Sequence, residues 1–351
     1  MSTMWLRKAS RRAGPRRGRG IVDRCFILNS RFCFLFLDKK SYLCGMIENK
    51  VILSAPIQGW TDHVWRVAHA HVFGGIDAYY APFMRVEHGA IRKRDLRDIQ
   101  PENNLGIHVV PQVLACRASD MALMLQAVAD MGYDEVDINL GCPHPPVARK
   151  GYGAGMLARP ESLVQLAEVL KQWPSLKVSL KLRLGWDDAE QWRNVLPMIA
   201  SCPIERVVVH YRLGVQQYQG EAMLEHIDAT LDAIPVPIVL NGDLDSQQSI
   251  SKLLAQHPRA AGVMLGRALV ADPALLCPER ATPTHYREFH DRLYQQYQQE
   301  LTGGDHQILN KMQTLWERML PNADRRARKA IRKASSLVRY EQAVTQVFGQ
   351  D

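Results

Sequence analysis

Short apolar runs rich in β-branched residues alternate with longer stretches at helical spacing between residues 51 and 276. This alternation predicts repeated βα units that close into a parallel sheet. The predicted strands are Val51–Ser54, Ile76–Ala81, His108–Leu114, Glu135–Leu140, Lys177–Lys181, Arg206–His210, Ile238–Asn241 and Gly262–Leu265. The predicted helices include Asp120–Met131, Glu161–Gln172, Ala189–Ala200 and Ser246–Gln256. Eight such units predict an α/β fold of the (β/α)8 TIM-barrel type, with its chemistry at the C-terminal ends of the strands.

The pattern changes after Pro278, where the chain becomes poor in strands and rich in Gln, Arg, Leu and Tyr, with breaks near Gly303-Gly304 and Pro321-Asn322. This composition and the spacing of the breaks predict a small all-helical domain of three or four helices. We therefore expect a basic extension over residues 1–45, a catalytic barrel over 46–278 and a helical domain over 279–351.

The composition is that of a soluble globular protein, with 46% apolar and 23% charged residues. Seven cysteines occur at irregular spacings without a Cys-x-x-Cys pair, which favours a reducing, cytoplasmic setting and argues against zinc or an iron–sulfur cluster. No apolar run is long enough to span a membrane. We expect neither a metal nor a membrane partner, and a monomer.

The net charge of +8 is concentrated in the first 45 residues, which carry +9 and leave −1 for the remainder. Three interpretations of this segment compete: a transit peptide, a basic RNA-binding arm, or sequence upstream of the true start. We favour the last, with Met46 as the start. Because the remainder is not broadly basic, nucleic-acid binding must rely on local patches.

A cysteine follows directly after the fourth predicted strand, in the segment Asp137-Ile-Asn-Leu-Gly-Cys142-Pro143. Free cysteines are most often small buried hydrophobes, but a proline-stiffened turn at a barrel strand end places the thiol toward a ligand. A second glycine-containing segment, Gly151-x-Gly-x-Gly155, follows shortly after. Cys142 is therefore the candidate catalytic residue.

Polar residues lie at the ends of most other predicted strands, at Gln112, Asn139, Lys181, His210 and Asn241. After strands seven and eight, Asn241-Gly242-Asp243 and Gly266-Arg267 predict a phosphate cradle. Glycine lets backbone N–H groups approach a phosphate, and arginine supplies a positive charge that can form a bidentate pair of hydrogen bonds with it. This pair of motifs favours FMN, with a backbone or ribityl contact for Asp243.

Together these motifs resemble the tRNA-dihydrouridine synthase family, in its bacterial form and more narrowly its C subfamily. The resemblance rests on Ala55-Pro56-Ile57-Gln58, Gln112-Val-Leu, Asn139-Leu-Gly-Cys142-Pro, Lys181-x-Arg183-x-Gly, His210-x-Arg212, and the two cradle motifs. Ile57 replaces a usual methionine, Tyr211 a usual glycine, and His144-Pro-Pro-Val147 a segment that often carries a lysine.

The resemblance implies FMN and NADPH (or NADH) as cofactors and tRNA as the partner. Cys142 would donate a proton to a D-loop uridine while FMN supplies hydride. The implied FMN contacts are Pro56, Ile57, Gln58, Gln112, Lys181, His210, Asn241, Gly242, Asp243, Gly266 and Arg267. The implied tRNA contacts are Arg85, Asn139, Arg183 (which would reach RNA or hold the site), Arg212, and Arg325, Arg328 and Arg332 in the basic segment of the helical domain.

Two other functions remain open on the sequence. Another FMN barrel, such as a dihydroorotate dehydrogenase, would act on a small pyrimidine, although such an enzyme has little need of a basic helical tail. A tRNA-binding protein without redox activity is the alternative outside enzymes, since Ile57, Tyr211 and Pro146 depart from the family pattern.

Overall fold

The computed structural model describes residues 49–349. The basic extension over residues 1–45 and the predicted start at Met46 lie outside the described residues. Eight barrel strands are present in this part of the chain: β1 Val51–Ser54, β2 Ala78–Tyr80, β3 Val109–Val110 and Gln112–Leu114, β4 Glu135–Leu140, β5 Lys177–Gly185, β6 Ile204–Leu213, β7 Ile238–Asn241 and β8 Gly262–Leu265.

Parallel pairing joins each strand to its neighbours in chain order, and β8 returns to β1. The ends of this sheet are the two parts of β3, which Pro111 separates because proline has no backbone N–H to donate. The carbonyl of Pro111 still accepts from the Asp137 backbone at 2.9 Å. The sheet is thus nearly closed, and the predicted TIM barrel is confirmed.

Helices surround the barrel and then form the C-terminal region. Their bounds are α1 His63–Val72, α2 Lys93–Asp98, α3 Ala118–Asp130, α4 Pro145–Ala148, α5 Pro160–Leu170, α6 Leu196–Ser201, α7 Ile227–Ala233, α8 Gln247–Gln256, α9 Arg267–Ala271, α10 Pro283–Glu300, α11 Gly304–Trp316, α12 Arg325–Lys333 and α13 Leu337–Phe348. A short antiparallel hairpin, Val86–Glu87 with Ala90–Ile91, follows β2.

Some predicted bounds were wrong. The strands β5 and β6 run on to Gly185 and Leu213, because their apolar alternation continues past Lys181 and His210. The helix predicted over Ala189–Ala200 begins instead as a 3-10 helix at Gln191–Val195, ahead of α6. Consequently Lys181 and His210 lie inside strands and not at their ends.

The C-terminal helices α10 to α13 have their own buried core. The side chains of His290 and Trp316 both contact the Tyr340 hydroxyl, at 2.7 and 3.0 Å. Buried polar groups that satisfy one another in this way hold a small helical core in one arrangement. The predicted helical region is confirmed, while its boundary at residue 278 stays a prediction.

A cluster of polar side chains joins the helical region to the barrel, and we call it the junction cluster: Asp62, His63, Tyr297, Glu300 and Lys311. Asp62 caps α1 and accepts from the Tyr297 hydroxyl at 2.8 Å and from Lys311 at 2.8 Å. His63 contacts Glu300 at 2.8 Å. Burial lowers the pKa of His63, but the surrounding carboxylates outweigh that effect, so its pKa is raised.

Candidate active site

A cavity of about 720 Å³ opens at the C-terminal ends of the strands, where a TIM barrel carries its chemistry. Ten of the predicted site residues line it: Pro56, Ile57, Gln58, Arg85, Asn139, Cys142, Lys181, Arg183, His210 and Arg267. The predicted contacts that do not line it are Gln112, Arg212, Asn241, Gly242, Asp243, Gly266, Arg325, Arg328 and Arg332.

The turn after β4 is held by the side chain of Asn139. Its Oδ1 accepts from the backbone N–H groups of Gly141 at 3.1 Å and Cys142 at 2.8 Å. Gly153, at φ +54, lies so close that an added Cβ would be 3.0 Å from both Cβ and O of Cys142. The second glycine segment therefore packs directly on the cysteine turn, and its Gly153–Met156 part is a 3-10 helix.

The thiol of Cys142 is half-buried on the cavity wall. Burial raises its pKa, while a backbone hydrogen bond from His144 and the charges of Arg183, Arg85 and Lys181 act in the opposite direction. Because the net shift is upward from the ordinary cysteine value, the thiol carries its proton at neutral pH. A protonated thiol facing a cavity can act as a general acid.

Lys181 and Arg183 bring positive charge to the cavity floor. Lys181 donates to Asn241 at 3.1 Å. Arg183 is 1% exposed and donates to the carbonyls of Gly141 at 3.0 Å and Leu213 at 2.8 Å. Burial lowers its pKa to about 10, so it stays charged. Of its two predicted roles, holding the site and reaching RNA, the structure favours the first, because its guanidinium ties the cysteine turn to the end of β6.

His210 is neutral and held in one tautomer. Burial lowers its pKa well below the ordinary value, and four neighbouring cations lower it further. Its Nε2 lies 3.2 Å from Nη1 of Arg212, which can only donate, so Nε2 accepts and Nδ1 carries the hydrogen. Arg212 itself is 2% exposed and bound to Asp243 and the Gly220 carbonyl, so it too is unable to reach RNA.

The residues of the predicted phosphate cradle are largely engaged with one another. Asn241 donates to the Met264 carbonyl at 2.7 Å and accepts from Lys181. Asp243 accepts from Arg212, from Arg267 at 3.1 Å and from the Ala222 backbone at 3.1 Å. The carboxylate of Asp243 thus faces protein, and Arg267 is the cradle residue whose side chain reaches the cavity.

Gln112, a predicted flavin contact, is hydrogen-bonded to two other side chains. It is fully buried and does not line the cavity, since its amide donates to Asp137 at 2.6 Å and accepts from Asn139 at 2.8 Å. The sequence placed it correctly on β3 but could not show that Asn139 lies between it and the cavity. A direct contact of Gln112 with a cofactor is therefore not favoured.

The charges suit an anionic, partly aromatic ligand such as FMN. Lys181, Arg183 and Arg267 face the cavity, with Ile57 as an apolar wall. The buried Nε of Arg212 has no hydrogen-bond partner among the described residues. An added Cβ at Gly266 would contact Ala55 at 3.4 Å, so β8 lies close against the first strand loop. The residues present fit such a group, with cations in excess of nearby free carboxylates.

Sequence reasoning missed the outer lobe of the cavity, which we define as Trp60, Arg94, Arg97, Lys311 and Arg318. The guanidinium of Arg318 lies 4.8 Å from the Trp60 ring centroid. The carboxylates in this region are already committed, since Asp95 pairs with Arg92 at 2.8 Å and Asp98 with Arg66 at 3.0 Å. Lys311 is itself paired with Asp62 at 2.8 Å, so the lobe presents its arginines and an aromatic face to the opening.

The basic segment of the helical region divides into two kinds of arginine. Arg328 donates to the carbonyls of Pro321 at 2.8 Å and Trp316 at 3.0 Å, so a structural role is favoured for it over the predicted contact with tRNA. On α12, Ala327 and Ile331 face the core. The exposed cations of α12 are Arg325, Arg326, Lys329, Arg332 and Lys333, none of which is paired with a carboxylate within residues 49–349.

Within residues 49–349, no cluster of three or more His, Cys, Asp or Glu side chains is arranged to hold a metal ion. In the same part of the chain, no helix combines the length and apolar character needed to cross a membrane.

Comparison with known proteins gives consistent matches. A family model described as "Dihydrouridine synthase (Dus)" matches residues 53–350. A "tRNA-dihydrouridine synthase B" of Pasteurella multocida is 28% identical over 65% of this chain and 68% of its own length. A "Probable tRNA-dihydrouridine synthase" of Rhodobacter capsulatus is 31% identical over 63% and 68%. A "tRNA-dihydrouridine(16) synthase" of Neisseria meningitidis is 29% identical over 64% and 69%.

Proposed function

The chain belongs to the dihydrouridine synthase family, and we propose that it reduces the 5,6 double bond of a D-loop uridine in tRNA, with FMN as cofactor and NADPH or NADH as reductant. The observation that carries the proposal is the protonated thiol of Cys142 on the wall of a cation-lined cavity. The narrower assignment to the C subfamily stays a prediction.

FMN, when bound, supplies the hydride that reaches carbon 6 of the uracil ring. The chain's own residues do the rest. Arg267 would bind its phosphate and Ile57 would pack against its ring system, since both residues line the cavity. Lys181 stabilises negative charge through Coulomb attraction, which is strong because the site is partly dry. His210, neutral and with its hydrogen on Nδ1, would offer a hydrogen-bond donor to the ligand.

Cys142 donates its proton to carbon 5. Hydride at carbon 6 and a proton at carbon 5 together give dihydrouridine, and the thiolate then takes a proton from water. The raised pKa of the thiol suits this role, because a general acid must hold its proton at the working pH. Arg183 and Asn139 keep the turn in place from its two sides.

The target uridine must leave the tRNA stack to reach the cavity. Trp60 and the arginines of the outer lobe then lie where the neighbouring nucleotides pass, with Arg85 beside them at the opening. The exposed cations of α12, Arg325 and Arg332 among them, contact the phosphate backbone. These contacts favour tRNA over a free small pyrimidine. For a tRNA-modifying enzyme we expect a cytoplasmic location.

The test is position-by-position measurement of dihydrouridine in tRNA from cells that lack this gene. The cells are complemented with wild type, Cys142→Ala or the matched control Cys202→Ala, whose thiol lies against the Ala167 carbonyl away from the cavity. We expect wild type and Cys202→Ala to restore one position and Cys142→Ala to restore none. No change at any position, with NADPH oxidised on a free pyrimidine instead, would overturn the proposal.

The modified position and the oligomeric state follow from two simple measurements. The same mapping of tRNA identifies the uridine, and one relative's name places its own product at position 16. Light scattering of the purified chain decides whether it is the monomer we expect.

A further inference from the structure

Asp137 is a fully buried carboxylate inside the barrel, five residues before the cysteine. One of its oxygens accepts from the Ser179 hydroxyl at 2.6 Å and the other from the Gln112 amide at 2.6 Å. It does not line the cavity and touches no reacting group. A buried charge is energetically costly and is tolerated where its hydrogen bonds are satisfied. The buried position of Asp137 therefore suggests that it has a function.

A continuous chain of hydrogen bonds leads from this carboxylate to the cysteine turn. Gln112 donates to Asp137, Asn139 donates to Gln112 at 2.8 Å, and Cys142 donates its backbone N–H to Asn139 at 2.8 Å. Gln112 and Asn139 belong to adjacent strands, and Leu114 of β3 pairs with Asn139 in register. The series of hydrogen bonds therefore runs from the barrel interior to the catalytic end of the barrel.

The groups at the two ends of this hydrogen-bond series determine which group donates and which accepts at each step. At one end the backbone N–H groups of Gly141 and Cys142 can only donate, so Asn139 must turn its oxygen to them. Its NH2 group then points at Gln112, which must present oxygen in return. The NH2 group of Gln112 then points at Asp137, where a carboxylate oxygen accepts.

We propose that Asp137 is a positioning residue for the proton donor: through Gln112 and Asn139 it fixes the turn that carries Cys142. The inference rests on the proposed function, in which Cys142 supplies the proton. Burial raises the pKa of Asp137, against the hydrogen bonds from Ser179 and Gln112. The positioning survives protonation, because the acid can donate to the Ser179 hydroxyl while its carbonyl oxygen still accepts from Gln112.

The experiment compares Asp137→Ala, Asp137→Asn and Ser179→Ala in the full chain. Alanine removes the acceptor for Gln112. Asparagine keeps one, by turning its oxygen to Gln112 and its NH2 to Ser179. Ser179→Ala removes the other hydrogen bond to the same carboxylate and leaves the chain intact. Three quantities are measured: kcat and KM on an unmodified tRNA transcript, bleaching of the flavin by NADPH, and alkylation of Cys142 in flavin-free protein by iodoacetamide.

We expect Asp137→Ala to lower kcat on tRNA by about 10- to 100-fold, the range in which small misplacements of reacting groups act. Flavin bleaching and KM should stay close to wild type, and alkylation of Cys142 should become at least severalfold faster. The kcat of Asp137→Asn and of Ser179→Ala should stay within about threefold of the wild-type value. A loss of kcat without a change in KM indicates an interaction that acts only in the transition state.

Two results would overturn the inference. The first is a wild-type kcat and a wild-type rate of Cys142 alkylation in Asp137→Ala. The second is that Asp137→Ala and Ser179→Ala lose kcat and flavin bleaching to the same extent, which would indicate an effect of packing alone. If Asp137→Ala does not fold, Gln112→Met breaks the same chain one link further on and must show the same split. Failure of the proposed function is separate, since wild type would then make no dihydrouridine.

Discussion

Replacing Gly153 by alanine tests whether the second glycine segment sets the position of the catalytic thiol. The backbone of Gly153 has φ +54, and an added Cβ would lie 3.0 Å from both Cβ and O of Cys142 and 3.3 Å from its N. Contacts this short force the neighbour to move by a few tenths of an ångström. Because the Cys142 carbonyl also accepts from Ala154 at 3.1 Å, the turn moves as a unit.

A matched control is available at Gly132, which has φ +81 and no atom within 4 Å of an added Cβ. An L-residue in the left-handed region costs roughly 1–2 kcal/mol, so both variants should lose about that much stability. Only Gly153→Ala displaces the thiol, and we expect its kcat for uridine reduction to fall roughly tenfold, or about 1.4 kcal/mol of barrier.

The assays are single-turnover reduction of a tRNA transcript and urea-induced unfolding of the flavin-loaded protein. Single turnover isolates the step that uses the thiol from product release. Gly132→Ala should unfold at lower urea with a wild-type rate. The reasoning would be refuted if Gly153→Ala lost the same stability as Gly132→Ala yet reduced uridine at the wild-type rate.

Three further outcomes are expected. Because the folded-state pKa of His63 is raised, its protonation stabilises the fold below about pH 6.5, and this stability is lost as the pH rises through the folded-state pKa. Glu300→Gln should therefore lower the free energy of unfolding in urea more at pH 6 than at pH 9. Equal losses at the two pH values would contradict this. Lys329→Gln should weaken tRNA binding and lower the salt slope by about one, measured by filter binding across salt concentrations. Arg328→Lys should instead lower the melting temperature and leave that slope unchanged, because Arg328 binds backbone carbonyls.

The barrel was predictable because its strands are buried on both faces and read as apolar runs. The ends of the strands were harder to predict. Lys181 and His210 interrupt apolar runs that continue as Leu182-Arg183-Leu184 and Tyr211-Arg212-Leu213. A polar residue at the functional end of a strand and one inside it look the same in a single sequence. Cys142 was found because a proline-containing turn follows its strand directly.

The roles of the arginines could not be predicted. Arg183 donates to a carbonyl 30 residues away and Arg328 to one 12 residues away, and neither contact has a local signature. The outer lobe was missed for the same reason, since Trp60 and Arg318 meet only in the folded chain. Charge counts identify basic segments, but tertiary contacts decide which cations remain free to bind phosphate.

The junction cluster has a consequence for engineering and for the evolution of target choice. Exchanging the helical region with that of a relative would leave the buried His63 and the half-buried Asp62 against new partners. A buried charge deprived of its counterpart is strongly destabilising. A chimaera that keeps its stability must carry Asp62 and His63 together with Tyr297, Glu300 and Lys311. The two parts of the molecule are therefore not interchangeable modules, and new tRNA specificity is more accessible through surface substitutions on α12 than through recombination.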